Sequence, residues 1–138
     1  MTIQEIENEI IEEFEIFGED WEGKYEHLID LGKTLPLIKQ EFKTDENIIK
    51  GCQSLVWLHS EINDNKIIFT ANADAIITKG MVALMIRVLS DQKPQDVINA
   101  KLEFIDKIGL KEHLSPTRSN GLVSMINRMK KDTIELSR

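Results

Sequence analysis

The single cysteine of this 138-residue chain, Cys52, is the side chain best suited to nucleophilic chemistry. It lies in the segment Lys50-Gly51-Cys52-Gln53-Ser54. Glycine adopts backbone conformations closed to other residues, so Gly51 predicts a sharp turn and places Cys52 on a loop or at the start of a strand. Loops held by a rigid scaffold often carry reactive groups. A thiolate at this position could act as a nucleophile.

A different interpretation of Cys52 is that it is a small buried hydrophobic residue, because free cysteine is among the most buried residue types. A free thiol with a pKa of about 8.5 is only slightly ionised at neutral pH. Lys50 would favour the thiolate, whereas Asp45 and Glu46 would oppose it. Neighbouring residues alone therefore do not decide between the two interpretations.

Two of the three histidines, His59 and His113, are candidates for a base that would activate Cys52. Such a pair would also be needed by a hydrolase or transferase. One cysteine and three histidines do not supply the ligands of a structural zinc site or a self-contained iron–sulfur cluster, and we expect no metal. An assembly scaffold that binds iron or a nascent cluster stays open as an alternative if two chains pair their cysteines.

The charge balance argues against nucleic acid as a partner. Seventeen Lys and Arg residues stand against 24 Asp and Glu residues, a net charge of −7, whereas phosphate binding needs a concentrated positive surface. The longest apolar run, Met81 to Ile86, is far shorter than the roughly 20 residues of a membrane span. The first residues lack the features of a secretory signal, and a lone cysteine fits a reducing compartment. We expect a single cytoplasmic domain over 1–138.

The hydrophobic pattern indicates which elements position the cysteine segment. A capping box of Thr2 and Glu5 begins a first helix, and Asp20 offers a cap for a second. Bulky and β-branched residues on both sides of a polar turn predict an antiparallel hairpin over 54–72. A short third strand is expected at Ile48-Ile49. Cys52 would thus precede the hairpin directly.

Helices are predicted for the remainder of the chain. Apolar doublets spaced by four from Ile76 to Leu89 predict a buried central helix, with Asp74 at its N-terminal end. Ser119 is expected to cap the last helix, which would leave Arg118 just ahead of it. Strands that are grouped rather than alternating with helices predict an α+β fold, with a small antiparallel sheet of about three strands packed with several helices.

The cysteine segment resembles that of the SufE/CsdE family of sulfur-acceptor proteins. The likeness covers Ile49 to Trp57 and continues, in the family's order, through three other segments. These are the pattern W-x-x-K-Y-x-x-L-I-x-x-G-x-x-L-P carried by Trp21, Lys24, Tyr25, Leu28, Ile29, Gly32, Leu35 and Pro36, the run Ala73 to Gly80, and the run Leu114 to Leu122. Together they extend over nearly the whole chain.

The resemblance implies a SufE/NifU-N-like fold and a sulfur-transfer function. Cys52 would accept a persulfide sulfur from a SufS/CsdA-like cysteine desulfurase, stimulate that enzyme and deliver sulfur to a SufB-like iron–sulfur scaffold complex. Pyridoxal phosphate would belong to the desulfurase, so this chain needs no cofactor. A homodimer is compatible with this role, and neither nucleic acid nor membrane is a partner.

The resemblance also implies roles for the residues around Cys52. Gly51, Gln53 and Ser54 would order the cysteine loop, whereas a simple turn-forming role is the alternative for the polar pair. Asp74 would favour the helix dipole, contact the partner or pin the loop. Arg118 would lie near the loop and take part in the encounter with the desulfurase, and a surface ion pair is the alternative for it.

The free protein should keep Cys52 in a loop that is shielded by apolar packing and opens on docking, because a carrier must protect its sulfur. A pure interaction module with an inert cysteine is the remaining alternative.

Overall fold

The computed structural model describes residues 1–138 and consists of seven α-helices and one β-hairpin. The helices are α1 (Ile3–Glu15), α2 (Trp21–Gly32), α3 (Ile76–Leu89), α4 (Pro94–Asn99), α5 (Phe104–Lys107), α6 (Leu110–His113) and α7 (Pro116–Leu136). The strands are β1 (Val56–Asn63) and β2 (Lys66–Ala73). Two short 3-10 turns, Gln40–Phe42 and Asp45–Asn47, lie between α2 and β1. The predicted α+β fold class is confirmed.

The first two helices begin where the sequence predicts. Thr2 Oγ1 accepts a hydrogen bond from the Glu5 N–H at 3.1 Å, and the Glu5 carboxylate accepts one from the Thr2 N–H. Asp20 caps α2 in the same way through the N–H of Gly23. These side chains satisfy amide groups that have no partner within the helix, which fixes both starting points.

The sheet contains two antiparallel strands in a register that runs from Val56 opposite Ala73 to Asn63 opposite Lys66. The expected third strand at Ile48-Ile49 is reduced to one bridge between Ile48 and Trp57. The preceding 3-10 turn and the loop that follows leave this segment no length for a ladder, so that the sheet keeps two strands.

Helix α3 is the centre of the core. Ten of its residues are buried, and it packs against α1, α2, α7 and β2. Its contact with α2 is very close, because a Cβ atom on Gly80 would lie 2.2 Å from the Leu28 carbonyl oxygen. Thirty buried residues form one hydrophobic cluster around this helix. No helix combines the length and apolar character that crossing a bilayer requires.

Two predicted helix boundaries near the candidate site were wrong. Helix α7 is capped by Ser115, whose hydroxyl accepts from the Arg118 N–H, and not by Ser119. Arg118 therefore lies within the first turn of α7 rather than ahead of it. Asp74 stands just outside α3, since Ala75 occupies the cap position. Proline favours the first helical turn, and Pro116 thus moves the start of α7 toward the N-terminus.

Candidate functional site

A short loop, Lys50–Leu55, connects the buried residues Ile49 and Val56 and carries Cys52. We call it the cysteine loop. Its two ends are joined directly, because the Ile49 N–H donates to the Val56 carbonyl at 2.8 Å. Gly51 has a φ of +95°, and a Cβ atom there would lie 2.4 Å from Ser124 Oγ on α7. Conformation and space both require glycine at this position.

The segment that leads into the cysteine loop is held by Arg128 of α7. Its guanidinium donates to the carbonyl oxygens of Glu46 at 3.0 Å and Ile48 at 3.3 Å. Asp132 orients the same guanidinium, since its carboxylate accepts from Nε at 3.0 Å. The backbone before the loop is therefore fastened to α7.

The exit of the cysteine loop is held by Asp74. Its carboxylate accepts from the Leu55 N–H at 3.0 Å, and its own N–H donates to the Leu55 carbonyl at 3.1 Å. From the sequence, we expect Asp74 to stabilise the helix dipole, to contact the partner or to pin the loop. In the structure Asp74 makes the contacts of a loop-pinning residue.

Cys52 is partly buried beside a cavity of about 20 Å³. The thiol donates its one hydrogen bond to the Gly121 carbonyl on α7, with 3.6 Å between Sγ and the oxygen. The cavity is lined by Cys52, Gln53, Ser54, Thr78, Met81, Thr117, Arg118, Gly121 and Met125. A cavity of this volume accommodates about one water-sized group.

The surroundings of Cys52 favour the thiol over the thiolate. Burial raises the pKa of the Cys52 thiol above its ordinary value, since a charged sulfur loses hydration there. The Gly121 carbonyl also favours the thiol, because its oxygen accepts a hydrogen bond from S–H but has no hydrogen to donate to S⁻. In the closed loop the sulfur is a weak nucleophile.

This environment predicts a high midpoint for alkylation of Cys52. The rate constant with iodoacetamide, measured by mass spectrometry as a function of pH, should rise with a midpoint above that of a cysteine in a short unstructured peptide. Denaturant should bring the two midpoints together. A folded-state midpoint below that of the peptide would contradict the assignment.

Polar groups approach the cavity from two sides. Ser54 Oγ and Thr78 Oγ1 are 3.1 Å apart and form a hydrogen bond between the loop and α3. Arg118 borders the cavity from α7 as its one charged lining residue, and no carboxylate lies within ion-pair distance of it. Gln53 is exposed at the tip of the loop.

The two candidate histidines do not contact Cys52. His59 lies within β1 and stacks on Phe42, with the two ring centroids 3.8 Å apart. His113 stacks on Trp21 at 3.7 Å, and its Nδ1 lies 3.1 Å from the Gly109 carbonyl oxygen. Neither ring lines the cavity, so that no Cys–His pair forms. No cluster of three or more His, Cys, Asp or Glu side chains is placed to hold a metal ion.

The structure gathers the candidate residues Cys52, Gln53, Ser54 and Arg118 around one cavity, with Gly51 and Asp74 at the ends of the loop. Sequence reasoning about single residues missed three others, Thr78, Gly121 and Ser124. A glycine inside a helix carries a cost in stability, so Gly121 offered a signal of contact with another segment, which in the structure is Cys52. Thr78 and Ser124 offered none, because threonine and serine are common in helices.

Comparison with known proteins gives consistent matches over most of the chain. Residues 8–133 match the family described as "SufE: Fe-S metabolism associated domain". An uncharacterized SufE-like protein of Rhizobium meliloti is 38% identical over 91% of this chain and 92% of its own. Another uncharacterized SufE-like protein, from Rhizobium etli, is 41% identical over 91% of this chain and 87% of its own.

A more distant relative and a solved structure agree with these matches. SufE-like protein 1, chloroplastic/mitochondrial, of Arabidopsis thaliana is 34% identical over 93% of this chain, which corresponds to 34% of that longer protein. The solution structure of a hypothetical protein from Thermus thermophilus superposes with a TM-score of 0.79 over 95% of both chains at 18% identity. At that identity the likeness shows the fold alone.

Proposed function

The chain belongs to the SufE family, whose domain is associated with Fe–S metabolism, and on this premise we propose that Cys52 is a carrier of persulfide sulfur. A cysteine desulfurase would supply the sulfur, and an iron–sulfur scaffold complex would receive it. The observation that carries this proposal is the position of the lone thiol, on a short loop and beside a small cavity of about 20 Å³.

The transfer requires only thiol exchange. The Cys52 thiolate attacks the outer sulfur of the donor's persulfide, a new S–S bond forms at Cys52, and the donor's cysteine leaves as a thiolate. The outer sulfur keeps its proton or charge, and no oxidant is needed. A single cysteine suits this role, because a neighbouring thiol could attack the persulfide and release the sulfur as sulfide.

The cavity beside Cys52 supports a protective function. It accommodates about one water-sized group, and the outer sulfur of a persulfide is of comparable size. Met81 and Met125 provide apolar parts of its wall. A persulfide folded into this space is separated from thiols in solution that would otherwise remove its sulfur.

The loop must open for either transfer, because burial favours the thiol and leaves the sulfur only partly accessible to an incoming protein. Removing the carboxylate in Asp74→Ala is therefore expected to raise the rate of Cys52 alkylation about fivefold at fixed pH, since one exposed charge-assisted hydrogen bond is lost. The measurement is iodoacetamide labelling followed by mass spectrometry.

Asp74→Asn is the matched control for that experiment, because its amide oxygen can still accept from the Leu55 N–H. It should label at a rate between those of the wild type and Asp74→Ala. Equal rates for all three chains would show that this contact does not hold the loop closed.

The surface around the loop has features that suit a protein partner. Leu55, which is hydrogen-bonded to Asp74, is 46% exposed, and Ile76, two residues after Asp74, is 63% exposed. Arg118 adds a positive charge without a carboxylate partner, in a chain whose net charge is −7. We assign Leu55 and Ile76 to apolar contact with the desulfurase, and Arg118 to attraction of its persulfide anion.

The decisive test is mass spectrometry of the purified chain after incubation with a family cysteine desulfurase and free cysteine. The proposal expects a mass gain of one sulfur atom on Cys52, removable by a thiol reductant, and faster turnover of the desulfurase. No adduct with a desulfurase that is active on its own would refute it. Stoichiometric iron bound to the purified chain would instead favour the alternative of an assembly scaffold.

The place of action and the assembly state belong to the same proposal. We place the protein in the cytoplasm, a reducing compartment in which a lone thiol stays free. A second copy of the chain is compatible with the carrier function but not required by it, since Cys52 and its cavity come from one chain.

A further inference from the structure

The hydroxyl groups of Ser54 and Thr78 form an unusual pair beside Cys52. Thr78 is only 6% exposed, in the first turn of α3, and both Ser54 and Thr78 line the cavity. Their oxygen atoms are 3.1 Å apart, and either one can be the donor. The lining of the cavity also includes the apolar side chains of Met81 and Met125.

Such a pair has one hydrogen more than its internal bond uses. Each hydroxyl carries one proton, and the bond between them consumes one of the two. The structure shows no further protein acceptor for the second hydroxyl proton. Whichever oxygen accepts within the pair, one O–H remains available to a group that enters the cavity.

The free thiol does not use this donor. Cys52 Sγ contacts the Gly121 carbonyl, which is an acceptor and cannot stabilise a charged sulfur. A persulfide differs, because its outer sulfur lies one bond beyond Sγ, for which the cavity beside Cys52 offers space, and because it ionises more readily than a thiol. Arg118 is the one charged side chain in the lining.

We propose that the Ser54–Thr78 hydroxyl pair positions the outer sulfur of the Cys52 persulfide and donates a hydrogen bond to its anionic form. This inference rests on the proposed function, since it concerns the loaded state of the same site. The site would thereby distinguish its two states: the empty carrier faces an acceptor, whereas the loaded carrier faces a donor.

The test uses the full chain loaded chemically, so that it does not depend on any desulfurase. The Cys52 thiolate attacks inorganic polysulfide, forms the S–S bond and releases a polysulfide that is shorter by one sulfur. The rate of alkylation of the outer sulfur is then measured against pH by mass spectrometry. Either hydroxyl alone would keep one O–H, so the test variant is the double substitution Ser54→Ala/Thr78→Val, which removes both. Its midpoint should rise by about one pH unit, a tenfold change in the ionisation constant.

Thr78→Ser is the matched control, because it retains a hydroxyl and should restore the wild-type midpoint. The free thiol of each variant is titrated in parallel. If the pair is only a latch for the loop, Ser54→Ala/Thr78→Val will accelerate labelling of thiol and persulfide alike without moving either midpoint, and the inference fails. Thermal unfolding of the chains identifies any variant that is misfolded. The single variants Ser54→Ala and Thr78→Val each keep one O–H, and their midpoints should move less than that of the double variant.

Failure of this inference can be separated from failure of the proposed function. If chemically loaded wild type and variants behave alike while the desulfurase still loads Cys52, the carrier function stands and the hydroxyl pair has no part in it. If the midpoint moves as expected but no desulfurase loads the chain, the site binds a persulfide that comes from another source.

Discussion

Cys52→Ser is expected to abolish sulfur loading by a cysteine desulfurase, a loss of at least about a hundredfold. The serine hydroxyl is almost wholly protonated at neutral pH and cannot form the S–S bond on which the transfer depends. The two side chains are nearly equal in size and Cys52 is only partly buried, so the free energy of unfolding should change by less than about 1 kcal/mol. Mass spectrometry after incubation with desulfurase and cysteine measures the loading.

The same variant separates two ways in which the chain could stimulate a desulfurase. If stimulation depends on removal of the persulfide, it disappears with Cys52. If it depends only on contact, Cys52→Ser stimulates as well as the wild type, and the chain acts as an interaction module with an inert cysteine. A sulfur adduct that persists on the Cys52→Ser chain would overturn the assignment of the acceptor.

Gly80→Ala is expected to lower the free energy of unfolding by about 2 kcal/mol, although alanine favours helices more than glycine does. The added Cβ would lie 2.2 Å from the Leu28 carbonyl oxygen and 2.8 Å from the Leu28 carbonyl carbon. Because those atoms are backbone, α2 and α3 must separate at the centre of the core, and overpacking of this kind typically costs about 1–3 kcal/mol. Urea denaturation measures the effect.

Gly121→Ala is the matched control, a second glycine inside a helix. Its Cβ would meet Cys52 Sγ first, at an ordinary contact distance of 3.6 Å. Alanine should therefore leave the free energy of unfolding unchanged or raise it by up to about 1 kcal/mol. Equal losses from both substitutions would show that general helix disturbance, and not the α2–α3 contact, explains the Gly80 result.

The elements that surround the site were largely predictable from sequence because their signals are local. The capping box at Thr2 and Glu5 specifies a helix start within one turn, and the hairpin follows from alternation around a polar turn. The third strand was not predictable, since a strand forms only where its partner offers length, and the Ile48 segment turns into the loop after one bridge.

The candidate site was predictable only in part for a related reason. Glycine beside cysteine indicates a loop, and the resemblance to the SufE/CsdE family, now confirmed, indicated its neighbours. The contact of Cys52 with Gly121 joins residues that are 69 positions apart, and Thr78 enters the cavity from α3. Neither leaves a pattern in sequence, because each depends on how helices cross.

The fastening of both ends of the cysteine loop limits how far its sulfur can travel. Arg128 ties down the backbone before the loop, Asp74 ties down its end, and the Ile49–Val56 bond closes the span between them. The chain over Lys50–Leu55 must lead away from these anchors and return to them. The cysteine loop can therefore reach outward by the length of only about three extended residues, roughly 10 Å. This reach is too short to enter a deep channel, so in the proposed transfer the donor and the recipient must each hold their reacting groups close to the protein surface.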